Sequence, residues 1–170
     1  CGVGLIASTE GKKSRKVVEY GINALKAVWH RGAVDADGKT GDGAGIHLEI
    51  PSDFFAEKIE LTGHDHDGSE ICVGMIFLPR NNYQSQENAR TLIESELTKS
   101  NFSIYGWRQV PVNPKVLGEK ANLTRPEITQ VLFKHNNKDL TEKELERKIY
   151  ESRRKIEKEA IKDAIEGFYI

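Results

Sequence analysis

The chain of 170 residues carries 25 Lys and Arg against 26 Asp and Glu, a formal net charge of −1. That balance lacks the basic footprint of a nucleic-acid binder, and no apolar run approaches the ~20 residues that span a bilayer. Two cysteines, Cys1 and Cys72, do not make a disulfide framework. The length suits one domain over residues 1–170 with a real core. No charged and apolar leader opens it, so a reducing cytoplasm is the expected compartment.

In chain order, residues 3–7 form an apolar run between glycines and read as a short buried strand. Ser14 can cap a helix carrying Val18, Ile22, Leu25 and Trp29 at helical spacing. Residues 32–45 hold five glycines and three aspartates and read as a loop. Ile46, Leu48 and Ile50 alternate with polar residues, the pattern of a half-buried strand. A short helix is expected from Pro51 through Lys58, then a central strand over 71–78. A helix beginning at Ser85 follows, with extended segments over 104–112 and 126–134. Thr141 and Glu144 form a capping box ahead of a charged helix with Leu145, Ile149, Ile156, Ala160 and Ala164 on one stripe. Gly167 can end that helix, and residues 168–170 read as the start of a further strand.

Several residues could carry chemistry. The chain opens on Cys1 rather than Met, which fits a numbering boundary or processing that frees the α-amine. A terminal Cys holds a nucleophile and its own base together: the thiol titrates near 8.5 and the α-amine at about 7.7–8.0. The glycine-rich stretch after His30-Arg31-Gly32-Ala33 does not fit a calcium loop, which wants Gly at its sixth position and Glu at its twelfth. Counted from Asp35, those positions are Thr40 and Ile46. A phosphate cradle would lead into a helix, whereas these glycines lead into an expected strand. A glycine-rich wall around a small polar substrate is the third reading. His64-Asp65-His66-Asp67 is a solvent loop sooner than a metal site. Cys72, Trp29 and Trp107 read as core residues, His30 as either a site neighbour or a hydrogen-bonded structural histidine, and His47 as exposed.

The motifs Cys1-Gly2-Val3-Gly4, His30-Arg31-Gly32-Ala33 and residues 37–45 together resemble the class II glutamine amidotransferase domain that opens glutamate synthase large subunits. Residues 73–79, 106–111, Leu117-Gly118 and 126–131 extend the resemblance along almost the whole chain. It implies an α+β, Ntn-hydrolase-like four-layer αββα sandwich with antiparallel sheets, incomplete because the chain stops early. It also implies that Cys1 attacks the side-chain amide of L-glutamine, with Arg31, Gly32, Asp42 and Gly43 organising the substrate wall. No metal and no cofactor belong to such a domain; FMN and an iron–sulfur cluster would lie in a synthase region that receives the ammonia. The family's Asn-Gly oxyanion pair and its substrate-clamping Arg and Asp have no counterpart in this chain. Its partner would be a synthase polypeptide or the missing half of the domain, with no nucleic acid or membrane. The alternative is a catalytically incomplete remnant serving as a binding module.

Overall fold

The computed structural model describes residues 2–170. They gather into two compact units. One runs through the chain up to Glu49 together with Val112–Thr124; the other comprises Ile50–Pro111 and Arg125–Ile170.

The second unit holds the core. Its elements are α2 (Ser52–Glu60), β1 (Cys72–Leu78), α3 (Tyr83–Lys99), β2 (Phe102–Gln109), β3 (Glu127–His135) and α5 (Glu142–Lys162), α1 and α4 belonging to the other unit. The sheet runs β1-β3-β2, with β3 antiparallel to both neighbours. β1 and β2 are therefore mutually parallel and split by β3, the βαββα half of a ferredoxin-like arrangement. The bridge between Phe77 and Tyr169 adds the chain's last residues to the free edge of β1, antiparallel. This agrees with the extended reading of residues 168–170.

Alternation along β3 decides which helix covers which face. Val131 and Phe133 join Cys72, Ile76, Ala89, Ile93, Phe102, Leu145 and Ile156 in one cluster, under α3 and α5. Leu132 faces the other way and meets Phe55, Ile59, Ile71 and Tyr105 under α2. β2 keeps this division by means of a bulge. Ile104 pairs with Phe133 and Gly106 with Leu132, leaving Tyr105 as the extra residue. Without that insertion Trp107 would fall on the wrong face; with it, Trp107 packs beside Ile104 on the α3–α5 side. Gly106 sits at φ 150, where a Cβ would stand 3.0 Å from Thr62 Cγ2, so only glycine suits the site.

Helix ends follow their sequence signals. Thr141 and Glu144 make the capping box that starts α5. Asn82, not Ser85, caps α3, its side chain accepting from the Ser85 amide. α5 stops at Lys162, earlier than Gly167. Ala164 takes a left-handed φ of 50, and the Ile165 amide returns to the Ala160 carbonyl at 2.9 Å, a Schellman closure with alanine at the glycine-favoured position.

The first unit is looser. It contains α1 (Arg15–Ala27), capped by Ser14, a 3₁₀ turn over Trp29–Arg31, a second over Pro114–Val116, and α4 (Glu119–Thr124). The strands expected at 3–7 and 46–50 are not formed. Val3 and Leu5 are almost fully exposed, and Ile46, Leu48 and Ile50 are exposed as well. A strand exists by pairing, and neither segment finds a ladder partner among the described residues. Trp29, expected in the core, is 78% exposed, because α1 presents its apolar stripe half-buried and the turn carries the indole outward.

The buried stripe of α5 makes a clear prediction. Ile156 is 1% exposed in the main cluster, so Ile156→Ala should lower the unfolding free energy by about 2–5 kcal/mol. Tyr150, 58% exposed on the same helix, should tolerate Ala within about 0.5 kcal/mol. Urea titration followed by helical circular dichroism compares the two.

Candidate active site

The residues singled out for chemistry lie in the first unit. Cys1 falls outside the described residues. Its neighbour Gly2 lies against Val28, with the position of a Gly2 Cβ 3.7 Å from Val28 Cγ2. Val28 ends α1, and its carbonyl accepts the Arg31 amide at 3.0 Å, closing the 3₁₀ turn. Gly2 and the turn bearing Arg31 are thus brought together by a single residue. The turn forms because α1 loses its helical ladder after Ala27 and the Gly32 amide closes back on the Trp29 carbonyl at 3.0 Å. The Arg31 guanidinium is exposed and makes no ion pair among the described residues.

Gly32 leads into a hairpin over residues 33–42. At its foot the Asp42 amide donates to the Ala33 carbonyl (3.2 Å), and the Asp42 carboxylate accepts the Ala33 amide in return (2.9 Å). Asp42 therefore ties the hairpin foot to the residue after Gly32. Val34 and Gly41 form an antiparallel bridge above it; a Cβ on Gly41 would lie 2.9 Å from the Ala33 carbonyl oxygen. Gly43 follows directly, with open space where a side chain would stand. The structure thus brings Arg31, Gly32, Asp42 and Gly43 into one local assembly.

Sequence reasoning missed what organises the tip. The Asp35 amide donates to the Thr40 carbonyl (2.7 Å) and the Gly38 amide to the Asp35 carbonyl (2.9 Å), with Gly38 at φ +70. The Asp37 carboxylate accepts the amides of Lys39 (2.9 Å) and Thr40 (2.7 Å) and the Thr40 hydroxyl (2.6 Å). These donors, the Thr40 hydroxyl foremost, hold the Asp37 carboxyl well below the usual carboxylate range. The signal is present as Asp-Gly-Lys-Thr, an Asx-type turn, which none of the calcium-loop, phosphate-cradle or glycine-wall readings resolves.

The His64–Asp67 stretch makes structural contacts. His64 Nδ1 lies 3.1 Å from the Thr62 hydroxyl and His66 Nε2 is 2.8 Å from the Ser69 carbonyl. Asp67 pairs with Lys134 (2.7 Å) and Lys138 (3.0 Å). Among the described residues no three His, Cys, Asp or Glu side chains gather as metal ligands. Cys72 is buried, and desolvation pushes its thiol up to about 12, the opposite of an activated nucleophile.

The profile described as Glutamine amidotransferases class-II matches residues 1–170. The chain belongs to the class II glutamine amidotransferases. It is 52% identical over 170 residues to the glutamate synthase [NADPH] large chain of Azospirillum brasilense, covering 100% of this chain and 11% of that one. It is 40% identical over 163 residues to the chloroplastic/mitochondrial ferredoxin-dependent glutamate synthase 1 of Arabidopsis thaliana, covering 93% and 10%. A ferredoxin-dependent glutamate synthase 2 of Synechocystis is 36% identical over 171 residues, covering 100% and 11%. The chain thus spans about a tenth of the length of these curated relatives.

The Asp37 turn has a defined pH dependence. A carboxyl whose folded pKa is depressed contributes fully above its ordinary value of about 3.9 and loses that contribution as pH falls towards the folded value. The Lys39 and Thr40 amide resonances should therefore stay constant from pH 7 to about 4.5 and shift only in stronger acid. Asp37→Asn should speed hydrogen exchange at the Thr40 amide at neutral pH. An amide titration by NMR checks both.

Proposed function

We propose that this chain is the nucleophile-bearing part of a glutamate synthase glutaminase domain, hydrolysing L-glutamine to glutamate and ammonia. The observation that carries this reading is the meeting of Gly2, covalently next to Cys1, with the turn that bears Arg31. The family match over the whole chain supports it.

In this reading the α-amine of Cys1 takes the thiol proton, directly or through a water, and the thiolate attacks the side-chain carbonyl carbon of glutamine. The tetrahedral intermediate collapses to a γ-glutamyl thioester as the amide nitrogen takes up the proton and leaves as ammonia. Water, deprotonated by the same amine, then attacks the thioester; glutamate leaves and the thiol is restored. The turn that bears Arg31 joins the N-terminal segment to the hairpin, and Arg31 takes the family's site-organising role there. Gly32, Asp42 and Gly43 form a wall in which the two glycines let the substrate approach the backbone and the Asp42 carboxylate ties the hairpin foot. The donors for the oxyanion lie in the family's Asn-Gly pair outside this sequence.

The domain would be a single Ntn-hydrolase-like αββα sandwich, cytoplasmic, passing ammonia to a synthase region that uses FMN and 2-oxoglutarate. An iron–sulfur cluster needs several thiolates. Cys72, the single described cysteine, is buried and alone, so these residues do not fit a cluster. No step here runs through either cofactor. Among the described residues, no helix is long and apolar enough to cross a membrane.

In the whole polypeptide that carries residues 1–170, Cys1→Ala should lower glutamine hydrolysis by at least about 10³-fold. A glutamine-like electrophile should label Cys1 stoichiometrically. Full activity of the Cys1→Ala protein would reject the nucleophile. Absence of both hydrolysis and labelling in the unmutated protein would favour the binding-module alternative.

A further inference from the structure

The hairpin over 33–42 does not stand alone. A segment about 80 residues further along the chain clasps its tip, the Lys120–Asp35 contact being separated by 85 positions. Lys120 Nζ donates to both Asp35 oxygens, at 2.9 and 2.8 Å. The Ala121 amide points to the Thr40 hydroxyl oxygen at 3.4 Å. Between these contacts sits Gly118. A Cβ there would lie 2.2 Å from Thr40 Oγ1 and 2.4 Å from both Asp37 Oδ2 and the Thr40 amide nitrogen. Gly118 is also the one residue of this unit that is buried among the described residues. Its missing side chain is what lets the Asp37–Thr40 turn seat against the start of α4.

We propose that Gly118 and Lys120 are positioning residues that hold the glycine-rich hairpin, and with it Asp42 and Gly43, in the position from which it binds glutamine. The inference rests on the glutaminase reading above and adds to it the device that sets the wall's position. Any side chain at Gly118 must push the hairpin tip away, because all three atoms it meets belong to the turn's own hydrogen bonds. The foot of the hairpin, joined to the tip through the Val34–Gly41 bridge, follows. Lys120 acts more gently. Its ammonium and the Asp35 carboxylate are 64% and 36% exposed, so the pair adds direction more than strength.

The test uses the whole polypeptide and two readouts: glutaminase kinetics, and iodoacetamide alkylation at Cys1 followed by peptide mass spectrometry. Gly118→Ala should raise KM for glutamine roughly tenfold to a hundredfold, the scale of a displacement near 1 Å. Lys120→Ala should raise KM about threefold to fivefold, and Lys120→Arg should restore it, since guanidinium keeps the bidentate pairing. Alkylation of Cys1, which needs no substrate wall, should proceed at the unmutated rate in all three. Unchanged KM in Gly118→Ala and Lys120→Ala, or alkylation that falls in parallel with activity, would overturn the positioning role. If Gly118→Ala fails to fold, the Lys120 pair decides the matter. Failure of the unmutated protein to hydrolyse glutamine would instead reject the glutaminase reading, which separates the two claims.

Discussion

The structured half of this molecule depends on β3. It is hydrogen-bonded along both edges and covered on both faces, so each of its residues serves two neighbours at once. Val131 and Phe133 give one face to α3 and α5, and Leu132 gives the other to α2. A shift of one residue in its register would exchange these faces and put Leu132 under α3 and α5 and Phe133 under α2. The bulge at Tyr105 is the price of that strictness: β2 must change parity midway to keep both Ile104 and Trp107 on the same side.

Where a core exists, the sequence was readable. The apolar run ending at Leu78 and the capping box at Thr141 stand where the pattern placed them. Burial and periodicity there report the same fact, since a side chain that must be buried leaves its period in the chain. The misses have a different cause. Residues 3–7 and 46–50 carry strand patterns and find no ladder partner among the described residues, and alternation alone cannot create one. α4 and the 3₁₀ turn at Pro114–Val116 escaped because they are too short to show a period. The turn is set by Pro114 and by the Asn113 side chain that accepts the Lys115 amide.

The candidate site was half legible. Arg31, Gly32, Asp42 and Gly43 were found by family resemblance and do lie in one assembly. Asp37 and Thr40 were visible only as members of a loop that fitted neither calcium nor phosphate. Their turn is closed by local hydrogen bonds, and it is seated by contacts with Gly118 and, through Asp35, with Lys120, partners that no local window contains. Sequence separation hides such a clasp even when each half is a strong local signal.

These two kinds of order answer different demands. A packed core resists displacement in all directions, because any movement opens a cavity or forces an overlap. The hairpin unit, in which Gly118 alone is buried among the described residues, is held by directional polar contacts: Asp42 at the foot, Asp37 at the tip, Lys120 from the side. Such contacts fix an orientation while leaving the surrounding backbone open to a ligand. On the glutaminase reading proposed above, a substrate wall uses that combination, since a side chain large enough to build a core would occupy the space the substrate must enter. The glycines at 32, 38, 41 and 43 therefore cost the unit its core, and the aspartates among them supply the order that the missing side chains cannot.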